Sequence, residues 1–145
     1  MCVARLWIAR CVRGGCLSGV EHREVARVLL AKATGDLVAG RLLATDENQS
    51  DHVVGFHAQQ AVEKAIKAVL VSHEIEIPLT HDIGYLVRLC SDVVELPDIV
   101  ASARWLTPWA GGWRYDTEDS PIDRVAAVAV AEAAVEWAEA LLRVE

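Results

Sequence analysis

Apolar residues recur at near-helical spacing between Arg23 and Thr45, where Val25, Leu29, Leu37 and Leu43 are separated mainly by alanines. This pattern predicts a first helix despite Gly35 and Gly40, each of which weakens a helix interior by about 1 kcal/mol. A polar break over 46–51 follows, in which Ser50 or Asp51 can cap a second helix running to about His73. The second helix sorts into faces. At roughly 100° per residue, Val62, Ile66, Val69 and Leu70 form a core stripe, and Ala58, Ala61, Ala65 and Ala68 form a small-residue face that another helix can approach closely. After a connector over 74–79, Thr80 reads as the cap of a third helix carrying Ile83, Leu86, Val87 and Cys90. Pro97 suits the first position of a short fourth helix reaching about Leu106. A loop rich in Pro, Gly and aromatics spans 107–119. Ser120-Pro121-Ile122-Asp123 then opens a long Ala/Val helix, with Ser120 as its cap and Pro121 at its first position.

The predicted fold is therefore all-α, a single up-and-down bundle of four to five helices. Composition agrees: the chain has 145 residues, 53% of them hydrophobic and only 6% aromatic, with the apolar share supplied mostly by Ala, Val and Leu. Such a length buries one core. The formal charge of −7 opposes DNA and anionic membranes, and any RNA contact requires a local basic patch.

The first nineteen residues differ from the rest, with Arg5, Arg10 and Arg13, no acid, and a Gly14-Gly15 break. Their apolar runs are too short for a signal-peptide core or a membrane span. The chain thus divides into a basic extension, 1–19, and a helical domain, 20–145, expected in the cytoplasm. Two readings of the extension stay open, a disordered tail and sequence upstream of a native start near Val20. The intact mass of protein from its own host separates them. Cys2, Cys11, Cys16 and Cys90 lack zinc-site spacing and read as unpaired thiols in a reducing cytosol. Neither a metal nor another cofactor is expected.

The chemistry concentrates on the polar face of the second helix, where His57, Gln60, Lys64 and Lys67 are stacked three or four residues apart with Glu63 at the border. Two of the three lysines in the protein lie on that line. Such a ridge on a surface helix ordinarily faces solvent. Gln59, however, projects near the core stripe and needs a hydrogen-bonding partner, within the chain or across an interface. Thr80-His81-Asp82 places an imidazole in the first helical turn, where free amides can hold an anion. Arg114 can grip phosphate or carboxylate in bidentate fashion, with Trp113 and Tyr115 as stacking surfaces, or it can tether its loop to Glu63 or Asp82. The chain carries no phosphate-binding loop, dinucleotide fingerprint, hydrolase elbow or paired-carboxylate metal centre.

The string Phe56-His57-Ala58-Gln59-Gln60-Ala61-Val62-Glu63-Lys64-Ala65-Ile66-Lys67-Ala68, followed by Thr80-His81-Asp82-Ile83 and later Arg114-Tyr115, resembles the HEPN domain family of prokaryotes from about Val25 to Leu142. The resemblance implies a bundle of four or five helices, usually dimeric. It also implies a partner: such proteins are often encoded beside a minimal nucleotidyltransferase, with which they form a toxin–antitoxin pair. Many members are metal-independent endoribonucleases, recognised by an Arg followed after four to six residues by a His. None of the eleven arginines here has a His at that distance. A carboxylate replaces an imidazole as a near-neutral proton carrier only with a large pKa shift.

Three functions follow as expectations. The first is a homodimeric, non-catalytic module that binds a minimal nucleotidyltransferase, a nucleotide or RNA through His57, Gln60, Glu63, Lys64, Lys67, His81, Arg114 and Tyr115. The second is a divergent endoribonuclease toxin that joins His57 or His81 to Arg114 by folding. In the third, the ridge serves only as a dimer interface.

Overall fold

The structure, a computed structural model, describes residues 18–111 and 120–144, all of whose regular elements are helical. Helix α1 spans Gly19–Ala44, α2 Asp51–Ser72, α3 Ile83–Ser91, α4 Asp98–Ala101 and α5 Arg124–Val144, with a 3₁₀ helix over Ala103–Trp109 between α4 and α5. The three long helices form the body. Val25, Ala26 and Leu29 at the start of α1 pack on Ala68 and Val71 at the end of α2, and Leu142 near the end of α5 joins them. Helices α2 and α5 are therefore parallel to each other and antiparallel to α1. The short elements carry the chain back from the end of α2 to its start. The all-α bundle expected from the sequence is present, with a broken return leg.

The helix ends show why some predicted boundaries shift. Helix α1 starts four residues before Arg23, because Ser18 accepts from the Glu21 amide while the Glu21 carboxylate accepts from the Ser18 amide. This is a capping box, and it satisfies two donors that a helix end otherwise leaves unpaired. Ser50, rather than Asp51, caps α2. Asp82 replaces Thr80 as the cap of α3, accepting from the Tyr85 amide while the Thr80 hydroxyl accepts from the Asp82 amide. In the fourth helix Pro97 is the cap residue, and one expected helix becomes α4 plus the 3₁₀ segment. At α5 the cap is Asp123, which accepts from Ala126, so Ser120 and Pro121 precede the helix. At α3 and α5 two nearby residues can make the same bond, and tertiary packing selects between them.

Helix α2 is the centre of the core. Val62, Ile66, Val69, Leu70 and the alanines at 58, 61, 65 and 68 are all buried, against Ala33 and Leu37 of α1, Ile83 and Leu86 of α3, and Ala127 to Ala138 of α5. Each large side chain buried in this way contributes about 1.5–3 kcal/mol. Arg124 fastens the far end. Its guanidinium donates to the Asp51 carboxylate and to the carbonyls of Asp46 and Gln49, joining the α1–α2 turn to the base of α5. Asp51 also accepts from the Ile122 amide, and these bonds hold its carboxyl below its ordinary value.

Two glycines of the body mark close approaches of different kinds. A β-carbon at Gly55 would lie 2.6 Å from the Trp109 indole and 3.0 Å from Ile122, so the 3₁₀ segment closes onto α2 only because this position has no side chain. A β-carbon at Gly40 would meet His57 Cβ at 3.6 Å, an ordinary contact. Gly55→Ala is expected to destabilise the fold by about 1–3 kcal/mol. Gly40→Ala is expected to stabilise it by about 0.5–1 kcal/mol. Thermal or urea unfolding with tryptophan fluorescence checks both signs.

Candidate functional site

No residue of α2 is exposed. Its polar face is therefore not a solvated ridge, and every charge on it requires a partner within the fold. The structure supplies two carboxylates. Asp36, on the facing side of α1, accepts from Lys64 Nζ and lies 3.0 Å from Nδ1 of His57. Glu63, on α2 itself, accepts from Lys67 Nζ at 2.7 Å and from Gln59 Nε2 at 2.8 Å, with His81 Nδ1 3.0 Å from its Oε2. Each carboxylate thus binds one ammonium and one imidazole.

The Glu63 cluster also anchors the connector that carries His81. Lys67 donates to the Thr80 carbonyl at 2.9 Å and Gln59 to the His81 carbonyl at 3.3 Å, while Gln60 donates to Gln59 Oε1. Gln59, fully buried, finds its partners within the chain. Burial by itself pushes the Glu63 carboxyl up. The Lys67 ammonium, through its hydrogen bond and its charge, outweighs that effect together with Gln59 and His81, and the net direction is down. Charge-assisted bonds of this kind are roughly twice as strong as neutral ones.

His81 stands two residues before α3, next to its cap Asp82, and not in its first turn as expected. Two of the amides that could have held an anion there are taken up, Tyr85 N–H by Asp82 and Ile83 N–H by the Thr107 hydroxyl. What His81 borders instead is an open cleft of about 810 Å³ between α3 and the 3₁₀ helix, lined also by Gly84, Arg88, Arg104 and Trp105. A β-carbon at Gly84 would meet Asp82 Oδ1 at 3.2 Å, Arg104 Cβ at 3.4 Å and Arg88 Nη1 at 3.8 Å, which places both arginines and the Asp82 carboxylate, itself part of the lining, beside one floor residue. Arg88 lies 5.8 Å from the Tyr85 ring centroid. Among the described residues neither arginine has a carboxylate partner.

Of the residues singled out in the sequence, His57, Gln60, Glu63, Lys64, Lys67 and His81 fall into these two clusters, whereas Arg114, Tyr115 and Trp113 lie outside the described residues. Asp36, Arg88 and Arg104 were missed. Asp36 carried one signal, an acid amid the apolar periodicity of α1. Of the four cysteines Cys90 is the described one, and burial raises its thiol to about 11, which makes it unreactive. Among the described residues no group of three His, Cys, Asp or Glu side chains could hold a metal ion, and no helix is long and apolar enough to cross a membrane.

The chain is thus a small helical module whose central helix carries Gln-Gln-Ala-Val-Glu-Lys-Ala-Ile-Lys, with Glu63 holding His81 of the following connector. The family model for the HEPN domain matches residues 26–145, and the chain belongs to that family. No curated protein and no solved structure matches the chain.

Glu63→Leu strands the Lys67 ammonium in a site where its side chain is 12% exposed, and is expected to cost about 3–5 kcal/mol. Adding Lys67→Met is expected to recover part of that loss, as measured by urea unfolding. The acid dependence follows from the lowered Glu63 value. Its contribution is complete above the unfolded carboxyl value of about 4.3 and disappears as pH falls through the lower folded value. Glu63→Gln is expected to flatten that acid slope.

Proposed function

We propose that this HEPN chain is a homodimeric, non-catalytic binding module that seats a nucleotide or an RNA phosphate in the cleft between α3 and the 3₁₀ helix, and acts as the partner subunit of a minimal nucleotidyltransferase. The observation that carries the binding reading is the contrast between two sets of cations. Lys64 and Lys67 are neutralised within the fold by Asp36 and Glu63. Arg88 and Arg104 line the cleft without such a partner, beside the half-exposed Trp105. Guanidinium groups grip phosphate in bidentate fashion and an indole stacks on a base, so this wall, whose two guanidiniums outnumber the one lining carboxylate, Asp82, offers a basic patch on an otherwise acidic protein. The ligand site thus moves from the ridge expected in the sequence to its edge, with His81 shared by both.

Self-association is supported by α1. Ala31, Gly35, Val38 and Leu42 are exposed at spacings of four, three and four residues, the alternation of a knobs-into-holes seam. Partnership with a nucleotidyltransferase rests on the family. The divergent endoribonuclease is retained as a second reading for one reason, the imidazole of His81 backed by a buried carboxylate beside two arginines.

The decisive experiment is titration of the purified chain with nucleotides and a short single-stranded RNA, followed by nuclear magnetic resonance or calorimetry. Arg88→Ala and Arg104→Ala are each expected to weaken binding about tenfold, in line with charge-assisted bonds of about 1.5–3 kcal/mol. Unchanged affinity in the double variant refutes the cleft reading. Light scattering is expected to give a dimer that Val38→Glu with Leu42→Glu converts to monomer, and a mixed complex on co-expression with a nucleotidyltransferase encoded beside it. RNA cleavage, or host growth arrest lost in His81→Ala or Arg114→Ala, would instead favour the nuclease.

A further inference from the structure

Glu63 does more than neutralise Lys67, because it is also the atom-level neighbour of the one imidazole that reaches the cleft. Its side chain is 5% exposed, whereas that of His81 is 67% exposed. Both carboxylate oxygens face the same ring nitrogen, Oε2 at 3.0 Å and Oε1 at 3.2 Å from Nδ1. An ionised carboxylate only accepts hydrogen bonds. Glu63 is kept ionised by the Lys67 ammonium and the Gln59 amide on its other flanks. The proton between ring and carboxylate therefore belongs to Nδ1, and a neutral imidazole carries only one. The main-chain bonds from Gln59 to the His81 carbonyl and from Lys67 to the Thr80 carbonyl fix the backbone on which the ring is mounted.

We infer that Glu63 is a positioning residue that holds neutral His81 as the Nδ1–H tautomer, so that Nε2 stands on the exposed side of the ring as a hydrogen-bond acceptor at the cleft. A guanidinium and this nitrogen make opposite demands on a ligand. Arg88 and Arg104 donate and take an anion; Nε2 accepts and takes a hydroxyl or an amine. The ligand class this selects is a phosphate ester that also presents a hydrogen-bond donor, such as a ribose hydroxyl or an exocyclic amine. Sulfate, which carries no proton to donate, meets only half of the site. A buried carboxylate fixing the tautomer of an exposed imidazole through its other nitrogen is the arrangement that histidine chemistry generally requires.

The functional half of this inference rests on the cleft reading above, but the tautomer is read without any ligand, so the two fail separately. Two-bond proton–nitrogen correlation spectra of the full chain at about pH 8.5, above the ordinary imidazole value of about 6.5, distinguish the tautomers directly. His81 is expected to show the Nδ1–H pattern, and Glu63→Gln to move it towards Nε2–H. His57, held in the same way by Asp36, is expected to keep its pattern in that variant and lose it in Asp36→Asn. Glu63→Asp, which keeps the charge against Lys67 but retracts the carboxylate by one methylene, serves should the amide variant not fold. It is expected to release the His81 tautomer as well. An Nε2–H pattern for His81 in the unaltered chain, or a tautomer indifferent to both variants, overturns the assignment. Glu63→Gln is further expected to weaken adenosine monophosphate about fivefold, the effect of one neutral hydrogen bond, while leaving sulfate, which has no donor, unchanged. Equal loss for both ligands, or none for either, overturns the selection of a donor-bearing ligand.

Discussion

A buried carboxylate in the middle of the central helix is the constraint around which this fold is arranged. Glu63 lies on α2 with core residues on either side, Val62 and Ala61 before it and Ala65 and Ile66 after it. An isolated charge there would be untenable, since desolvation of a carboxylate costs several kcal/mol. Everything that offsets the cost comes from close by. Lys67 is one turn along the same helix, Gln59 one turn back, and His81 arrives on the connector that follows. The same bonds that solvate Glu63 thereby determine where that connector runs, and with it where α3 begins.

Helix α2 announced itself because its apolar, small and polar positions separate by face, and every core and alanine position read from that pattern is buried. Gln59 was also legible, as an amide on the wrong side of the wheel. What the pattern could not convey was that the polar face is half-buried and its charges paired within the fold. That depends on Asp36, 21 and 28 residues away from its two partners on another helix, and no local rule places it opposite His57 and Lys64. Periodicity reports which side of a helix is apolar. It does not report whether a neighbour brings a compensating charge to the other side.

The errors at helix ends have a second origin. Thr80 and Asp82 are equally able to cap, as are Ser120 and Asp123, and the choice was made by contacts remote in sequence, such as the Thr107 hydroxyl accepting from Ile83. Gly55 gave a signal that propensity alone misreads: a glycine within a strong helix looks like a weakness, yet here it is the seat of Trp109. The cleft was invisible for the same reason. Arg88 and Arg104 stand on separate short elements, and only the broken return leg brings them beside His81.

The Arg124 clip links this architecture to the order in which the chain is made. The α1–α2 hairpin consists of sequence neighbours and can assemble early, since local contacts form without a large loop-closure cost. The Asp46 carbonyl already accepts from the Gln49 amide within the turn, but it and the Gln49 carbonyl both accept from Arg124, 78 and 75 positions downstream. During synthesis the α1–α2 hairpin therefore emerges with the acceptor positions that Arg124 later fills still bonded to water, and it exchanges those bonds only when α5 appears. The turn that joins α1 to α2 is completed by the helix made last among those described.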